Sequence, residues 1–495
     1  MPSPPRPSLA ADSARGVLWL GSSELVGQGL HLVIRVILAR LLVPEDFGLV
    51  AMALVFAAIP VLVADLGLGP ALVQRPELTE RHKSTAFWAA AALAGVCFLA
   101  LFLAAPWVGA FYRNPEVVPL LRALSVTIVL AAPESVYNPL LVREMQFGLL
   151  GVRKVVATVL GGALGIAWAL AGGGAWALVV DSLARSAIGS LLFVVHFGGL
   201  PRLEFSRRHL AELWVVSRSI LGARGLNFLS RNVDNVIIGR YLGSAALGLY
   251  SLGYQAVLVP LQSLVRPLTG VAFPAFSRIQ EDLERCRRGY LRMLRLVVTV
   301  TWPVTVLGAL AAGELIPLVF GDEWLGAVTP FRLLCLVALL QASTHFIPSL
   351  LNGLGRPEVT VRLMLAALAL NVAGFVAGLP WGVSGVTAGY LAATALITPA
   401  YFAAAAKLVR LEARQLAGAL LRPLPGLAAA AAVWWALAGI VPDLFPGFAL
   451  GVKVLAALAA YGALALIFLR ETCHFAITTL GGSLGRTGPG PKQTD

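Results

Sequence analysis

A chain of 495 residues in which 58% are hydrophobic and only 13% are charged has about half the charge density of a soluble globular protein. Such a composition cannot cover the surface of water-soluble domains, which excludes most cytosolic enzymes and nucleic-acid-binding proteins. The net charge, 38 − 25 = +13, is therefore read through membrane topology, with no nucleic-acid partner.

The chain opens with a Pro-rich stretch carrying Arg6 and Arg15. The apolar run that follows is longer than the core of a signal peptide and contains Glu24, His31 and Arg35, so it is read as a retained first span. Apolar segments of spanning length then recur. The first six are expected at 16–40, 47–69, 85–111, 117–140, 150–171 and 174–197. The next six are expected at 213–240, 245–272, 291–318, 326–350, 359–380 and 383–406, and a last pair at 424–441 and 447–469. Fourteen helices of about 20 residues use about 280 residues. No connection reaches the roughly 50 residues of a small soluble domain. The segment from Arg278 through Arg295 has the pattern of an amphipathic helix at the membrane surface.

Of the four cysteines, Cys97 and Cys335 sit in apolar runs, Cys286 in a basic loop and Cys473 near the end. With no CxxC pair, they give neither a disulfide framework nor a metal site.

Basic residues alternate between the two sets of connections. One set holds Arg75, Arg81 and Lys83, then Arg143, Arg153 and Lys154, then Arg202, Arg207 and Arg208. It continues through Arg278 to Arg295, Arg356 and Arg362, and Lys407 to Arg422. The other set has little beyond Arg40, Arg113 and Arg240, and carries Glu45, Asp46, Glu116, Asp322, Glu323 and Asp443. Cytoplasmic loops are enriched in Lys and Arg, so both termini are expected in the cytoplasm.

The chain also repeats itself. At an offset of 200, Arg40 aligns with Arg240, Leu42 with Leu242, Gly48 with Gly248 and Pro60 with Pro260. Further on, Pro139 pairs with Pro348 and Val152-Arg153 with Val361-Arg362. Six spans separate the copies, so they enter the membrane in the same direction and form a parallel repeat. The expected fold is all-α and polytopic: two six-helix lobes at 1–200 and 208–408 around a central cavity, a helix pair at 417–470, and a cytoplasmic tail at 471–495.

Ionisable groups deep in a membrane helix usually face protein or a water-filled path. Glu24, Gln28, His31 and Arg35 in the first span are spaced so that they stay within about 60° of one another around a helix. Arg224, Asn227, Arg231 and Asp234 do the same in the seventh span, and Gln255, Gln262 and Arg266 in the eighth. Arg35, Arg224 and Arg231, with Gln28, Asn227 and Gln255, are the candidate substrate-binding residues, because guanidinium groups match phosphate oxygens. Glu24, His31 and Asp234 could titrate and couple transport to a proton or sodium gradient. The competing reading is helix–helix glue, to which Asp181 with Arg185 at i, i+4, Glu134, and Arg231 with Asp234 belong.

The run RLLVPEDFGLVAMA from Arg40, the loop NPLLVREMQF from Asn138, the repeated lobes and the spans together resemble the Wzx-type polysaccharide flippases. These belong to the multidrug/oligosaccharidyl-lipid/polysaccharide transporter superfamily. The likeness is to the exopolysaccharide branch and covers essentially the whole chain. It implies a bacterial inner-membrane carrier that moves undecaprenyl-pyrophosphate-linked oligosaccharide repeat units to the outer leaflet by alternating access. It further implies membrane lipids and the polysaccharide polymerase or export machinery as partners, and no cofactor, metal or catalytic residue. A peptidoglycan-precursor flippase and a multidrug or small-molecule antiporter are the competing transporters. An enzyme is disfavoured because the outer connections are short.

Overall fold

The computed structural model describes residues 26–64, 72–73, 75, 78–440 and 446–468; side chains are not described at 62, 64, 211–227, 229–230, 258–264 and 266–271. Every regular element among them is helical. The chain divides into two compact units, Met1–Leu252 and Gly253–Asp495.

In the first unit, residues 26–41 form α1. After two residues the chain re-enters as α2 (Pro44–Ala64). Proline at the first helical position has its φ preset, and Glu45 and Asp46 in the first turn complement the positive helix end. The next helix, α3 (Glu80–Tyr112), starts at a capping box between Thr79 and His82 and ends at Arg113 in the left-handed conformation, φ 56. Four helices follow: α4 (Val117–Leu130), α5 (Ala132–Arg143), α6 (Phe147–Leu170) and α7 (Trp176–His196).

The helical run α8 (Arg207–Arg278) is 72 residues long and is broken once, at Gly243, with φ 87 and ψ −178. That conformation is essentially glycine's alone. The Tyr250 hydroxyl donates to the Asp234 carboxylate at 2.8 Å across the break. Sixteen residues of straight helix would hold them about 24 Å apart. The chain of α8 therefore turns back at Gly243, bringing residues 234 and 250 together.

The second unit begins in the later arm of α8 and continues with α9 (Leu283–Phe320). Asp282 caps α9 by accepting the Arg285 amide at 2.9 Å. Without a break this helix runs 38 residues, about 57 Å, well past the roughly 30 Å of a hydrocarbon core. The amphipathic segment from Arg278 to Arg295 is thus continuous, from Leu283 on, with the spanning helix. Residues Leu283 to Arg295 are the first turns of the spanning helix itself, because nothing between the Asp282 cap and Pro303 interrupts it. Cys286, read as a loop residue, is fully buried there, its thiol directed at the Ile279 carbonyl at 3.2 Å.

Next come α10 (Val328–Thr344) and α11 (Ile347–Gly353). A helical hairpin follows, α12 (Pro357–Gly378) and α13 (Gly382–Val409), joined by a short turn at Leu379–Trp381. The unit closes with α14 (Ala413–Leu421), α15 (Leu424–Ala438) and α16 (Pro446–Phe468). This last helix docks on α9: Lys453, 2% exposed, pairs with both Glu314 oxygens at 3.1 Å, and the Tyr461 hydroxyl donates to the Thr299 carbonyl at 2.8 Å.

Eleven stretches of the described residues are long and apolar enough to cross a membrane. One of them, Pro357–Val409, contains the whole α12–α13 hairpin. The chain is therefore a multi-pass membrane protein. Its lipid-facing character shows in exposed side chains such as Val96, Leu99 and Leu103 on α3 and Leu455 on α16. The most exposed tryptophans, Trp107, Trp381 and Trp435, lie at helix ends opposite the basic connections, where an amphipathic ring suits an interface.

Candidate functional site

The polar groups of the first unit converge where α1 and α7 meet the glycine edge of α6. Gly162 has no room for a Cβ because Ile34 of α1 occupies that space, the residue next to Arg35. On the same helix, a Cβ at Gly165 would stand 2.8 Å from the Asp181 Cβ, and one at Gly161 would stand 3.0 Å from the Arg185 Cβ. Three small positions within five residues thus let α1 and α7 approach one helix closely, as small residues do in membrane bundles. Two spans far apart in sequence are brought into electrostatic range by this packing.

The result is a cluster of charge. Arg185 donates to the Asp181 carboxylate across one turn of α7. Arg35 lies within reach of the charges of both. His31, one turn before Arg35, feels Arg35, Arg185 and Lys154. The Lys154 chain packs against α1, its Cε 3.3 Å from where a Cβ on Gly27 would sit. Beside it, Arg153 pairs with Glu134 of α5 at 2.8 Å and lies over the Phe193 ring at 4.0 Å. Among the described residues, Arg35, Arg153, Lys154 and Arg185 meet Asp181 and Glu134 as carboxylates, so the cluster carries an excess of cationic groups.

Among the sequence-derived candidates, Gln28, His31 and Arg35 share the α1 face and are half-buried. Glu24 lies outside the described residues, as do the side chains of Arg224 and Asn227. Arg231 is exposed on the first arm of α8, and Gln255 is half-buried in the second unit. Asp234 is 5% exposed and takes Tyr250 as its partner, closing the α8 hairpin. The pair Asp181–Arg185, read as glue, is the one whose charges reach Arg35, while Glu134, also read as glue, pairs with Arg153. The sequence signal of the Asp181–Arg185 pair is the i, i+4 spacing inside an apolar span together with the Gly161-Gly162 and Gly165 edge that brings α7 and α1 onto α6.

The two sequence motifs serve the scaffold. In the run after Arg40, the Glu45 carboxylate accepts the Ser244 hydroxyl at 3.1 Å, and Asp46 accepts the amides of Val43 and Ala175. Phe47 is buried and Gly48 abuts the Ser244 carbonyl. In the run after Asn138, Arg143 donates to the carbonyls of Leu72 and Val73 at 3.2 and 3.3 Å. Just before it, the Tyr137 hydroxyl donates to Gly199 at 2.8 Å.

A family model described as polysaccharide biosynthesis protein matches residues 37–329. The lipopolysaccharide biosynthesis protein WzxC of Escherichia coli (strain K12) is 29% identical over 383 residues, 75% of this chain and 76% of its own. The succinoglycan biosynthesis transport protein ExoT of Rhizobium meliloti (strain 1021) is 34% identical over 353 residues, 70% of each chain. Among solved structures, the lipid II flippase MurJ in an inward closed conformation superposes with a TM-score of 0.71 at 13% identity, covering 92% of this chain and 99% of its own. An inward-facing MATE family multidrug transporter gives 0.61 at 18% identity, covering 77% of this chain and 94% of its own. Both likenesses are of fold.

Proposed function

We infer the function from one premise: the chain belongs to the polysaccharide biosynthesis protein family. On that premise we propose that it is a carrier, not an enzyme. Its cargo is an oligosaccharide repeat unit linked through pyrophosphate to undecaprenol, moved from the cytoplasmic to the outer leaflet by alternating access. WzxC and ExoT carry the names of lipopolysaccharide and succinoglycan pathways, and ExoT that of a transport protein. Both names support a polysaccharide precursor over the lipid II that MurJ's name specifies.

The observation that carries the reading is the cationic cluster of Arg35, Lys154, Arg153 and Arg185 inside an otherwise apolar helix bundle. Ionisable groups are costly inside membrane helices and usually mark a substrate path or a paired partner, and planar guanidinium groups donate to two phosphate oxygens at once. The pyrophosphate sits on the arginines while the prenyl chain remains in lipid. Arg224, Asn227, Arg231 and Gln255 are further cargo-binding residues in this proposal, and the two repeats form the lobes 1–200 and 208–408. All basic connections and both termini lie in the cytoplasm of a bacterial cell, and the cargo is handed to a polymerase outside.

The test uses vesicles holding the purified protein and a fluorescent prenyl-pyrophosphoryl oligosaccharide, with leaflet exchange read by quenching of the outer dye. Wild type exchanges the dye across leaflets. Arg35→Ala and Arg185→Ala lower the rate at least about tenfold, the loss of one charge-assisted contact. Exchange at the wild-type rate in both variants overturns the assignment.

A further inference from the structure

Asp181 is 7% exposed, and its two carboxylate oxygens live differently. Oδ2 accepts from Arg185. Oδ1 is buried and has no hydrogen-bond partner. Buried polar atoms are nearly always satisfied, and an exception in a charged cluster, here shared with Arg153 Nε, calls for a reason. Arg35 approaches from α1 within reach of the same carboxylate. One anion thus faces two guanidinium groups but is hydrogen-bonded by one.

The other charged groups on elements packed against α7 are committed elsewhere. Glu134 of α5 holds Arg153 of α6, and Arg143 of α5 holds the carbonyls of Leu72 and Val73. Arg122 of α4 lies on the Phe102 carbonyl and ring, and Asp46 of α2 takes the Val43 amide. Lys154 of α6 faces His31 of α1. Among the described residues, the charged groups that bear on Asp181 are Arg185 and Arg35, and His31 lies one turn from Arg35 on α1.

We propose that Asp181 is the proton-coupling carboxylate of the carrier, an internal counter-ion that the cargo displaces. The proposal rests on the cluster being the anion site. While the site is empty, Asp181 offsets one of the two charges carried by Arg35 and Arg185. When a pyrophosphate takes both guanidinium groups, Asp181 is left beside a second anion with a bare oxygen. A proton from water adds to that carboxylate, forming one O–H bond and removing the repulsion. No other bond changes, and the proton leaves when the phosphate does. Each cargo bound thereby takes up one proton.

The experiment is calorimetric binding of a short-chain prenyl-pyrophosphoryl sugar to the purified full-length protein. The probe is a pyrophosphate diester with fixed charge, so its own titration does not intrude. In wild type, one proton is taken up per probe bound, read from the buffer dependence of the heat, and affinity falls about tenfold per pH unit above neutrality. In Asp181→Asn both effects vanish and binding at high pH is tighter than in wild type. In His31→Gln both persist. Binding by wild type without proton uptake, or uptake undiminished in Asp181→Asn, overturns the role of Asp181 and leaves the anion site standing. No binding by wild type, Arg35→Ala or Asp181→Asn overturns the anion site and the proposal with it.

Discussion

Gly48 and Gly248, 200 residues apart, make the same contact with exchanged partners: Gly48 meets the carbonyl of Ser244, and Gly248 meets the carbonyl of Pro44. Pro44 and Ser244 are themselves 200 apart. A pair in which i touches j′ and j touches i′ is what a two-fold axis between equivalent segments produces. The start of α2 and the turn of α8 after Gly243 are thus related copies that pack on each other backbone to backbone. Both glycines are needed because a Cβ at either would fall on a backbone oxygen, which cannot rotate away.

Substitution at this contact should be costly at both ends of the repeat. Gly48→Ala and Gly248→Ala are each expected to destabilise by at least the ~1–3 kcal/mol typical of overpacking. Thermal unfolding of the detergent-solubilised protein measures it. A control at Gly29, where a Cβ meets nothing within 4 Å, should melt near wild type. An unchanged midpoint for both Gly48 and Gly248 variants contradicts the close approach.

The ion pair that docks α16 should respond asymmetrically. Lys453 has a side chain 3% exposed, whereas Glu314 is 42% exposed. Glu314→Ala strands a buried ammonium, a change that costs about 3–5 kcal/mol in buried pairs. Lys453→Met leaves a carboxylate that water can reach and keeps the contact with Trp434, whose ring lies 5.9 Å from the ammonium. Glu314→Ala is therefore expected to lower the melting temperature more than Lys453→Met. The reverse order would place the pair in a more hydrated setting than its burial indicates.

Topology is testable by thiol labelling, and the structure changes the choice of residue. Cys286 is fully buried and a poor reporter, while the neighbouring Arg285 side chain is 67% exposed. In a cysteine-free background, Glu45→Cys should react with an impermeant maleimide added outside cells, and Arg285→Cys only after the membrane is opened. Labelling of Arg285→Cys from outside would invert the assigned orientation.

Much of this was legible in the chain. Apolar runs of spanning length dictated the helices, since a backbone in hydrocarbon must satisfy its own hydrogen bonds. The 200-residue repeat was visible, and Gly48 with Gly248 was among its matches. The motifs from Arg40 and Asn138 pointed to the right family, though they act as joints: Glu45 on Ser244, Arg143 on the carbonyls of Leu72 and Val73.

What sequence alone determined was that the chain is an all-α, multi-pass membrane protein of this family, because apolar runs of spanning length and local motifs carry that much. Which polar groups meet was settled only by the fold. The partnership of Arg35 with Asp181 and Arg185 depends on Gly161, Gly162 and Gly165 drawing two distant helices onto α6. The withdrawal of Asp234 into a bond with Tyr250 depends on Gly243 folding α8 back on itself. Charge interactions fall off over a few ångströms, so their partners are fixed by packing between helices and not by spacing within one.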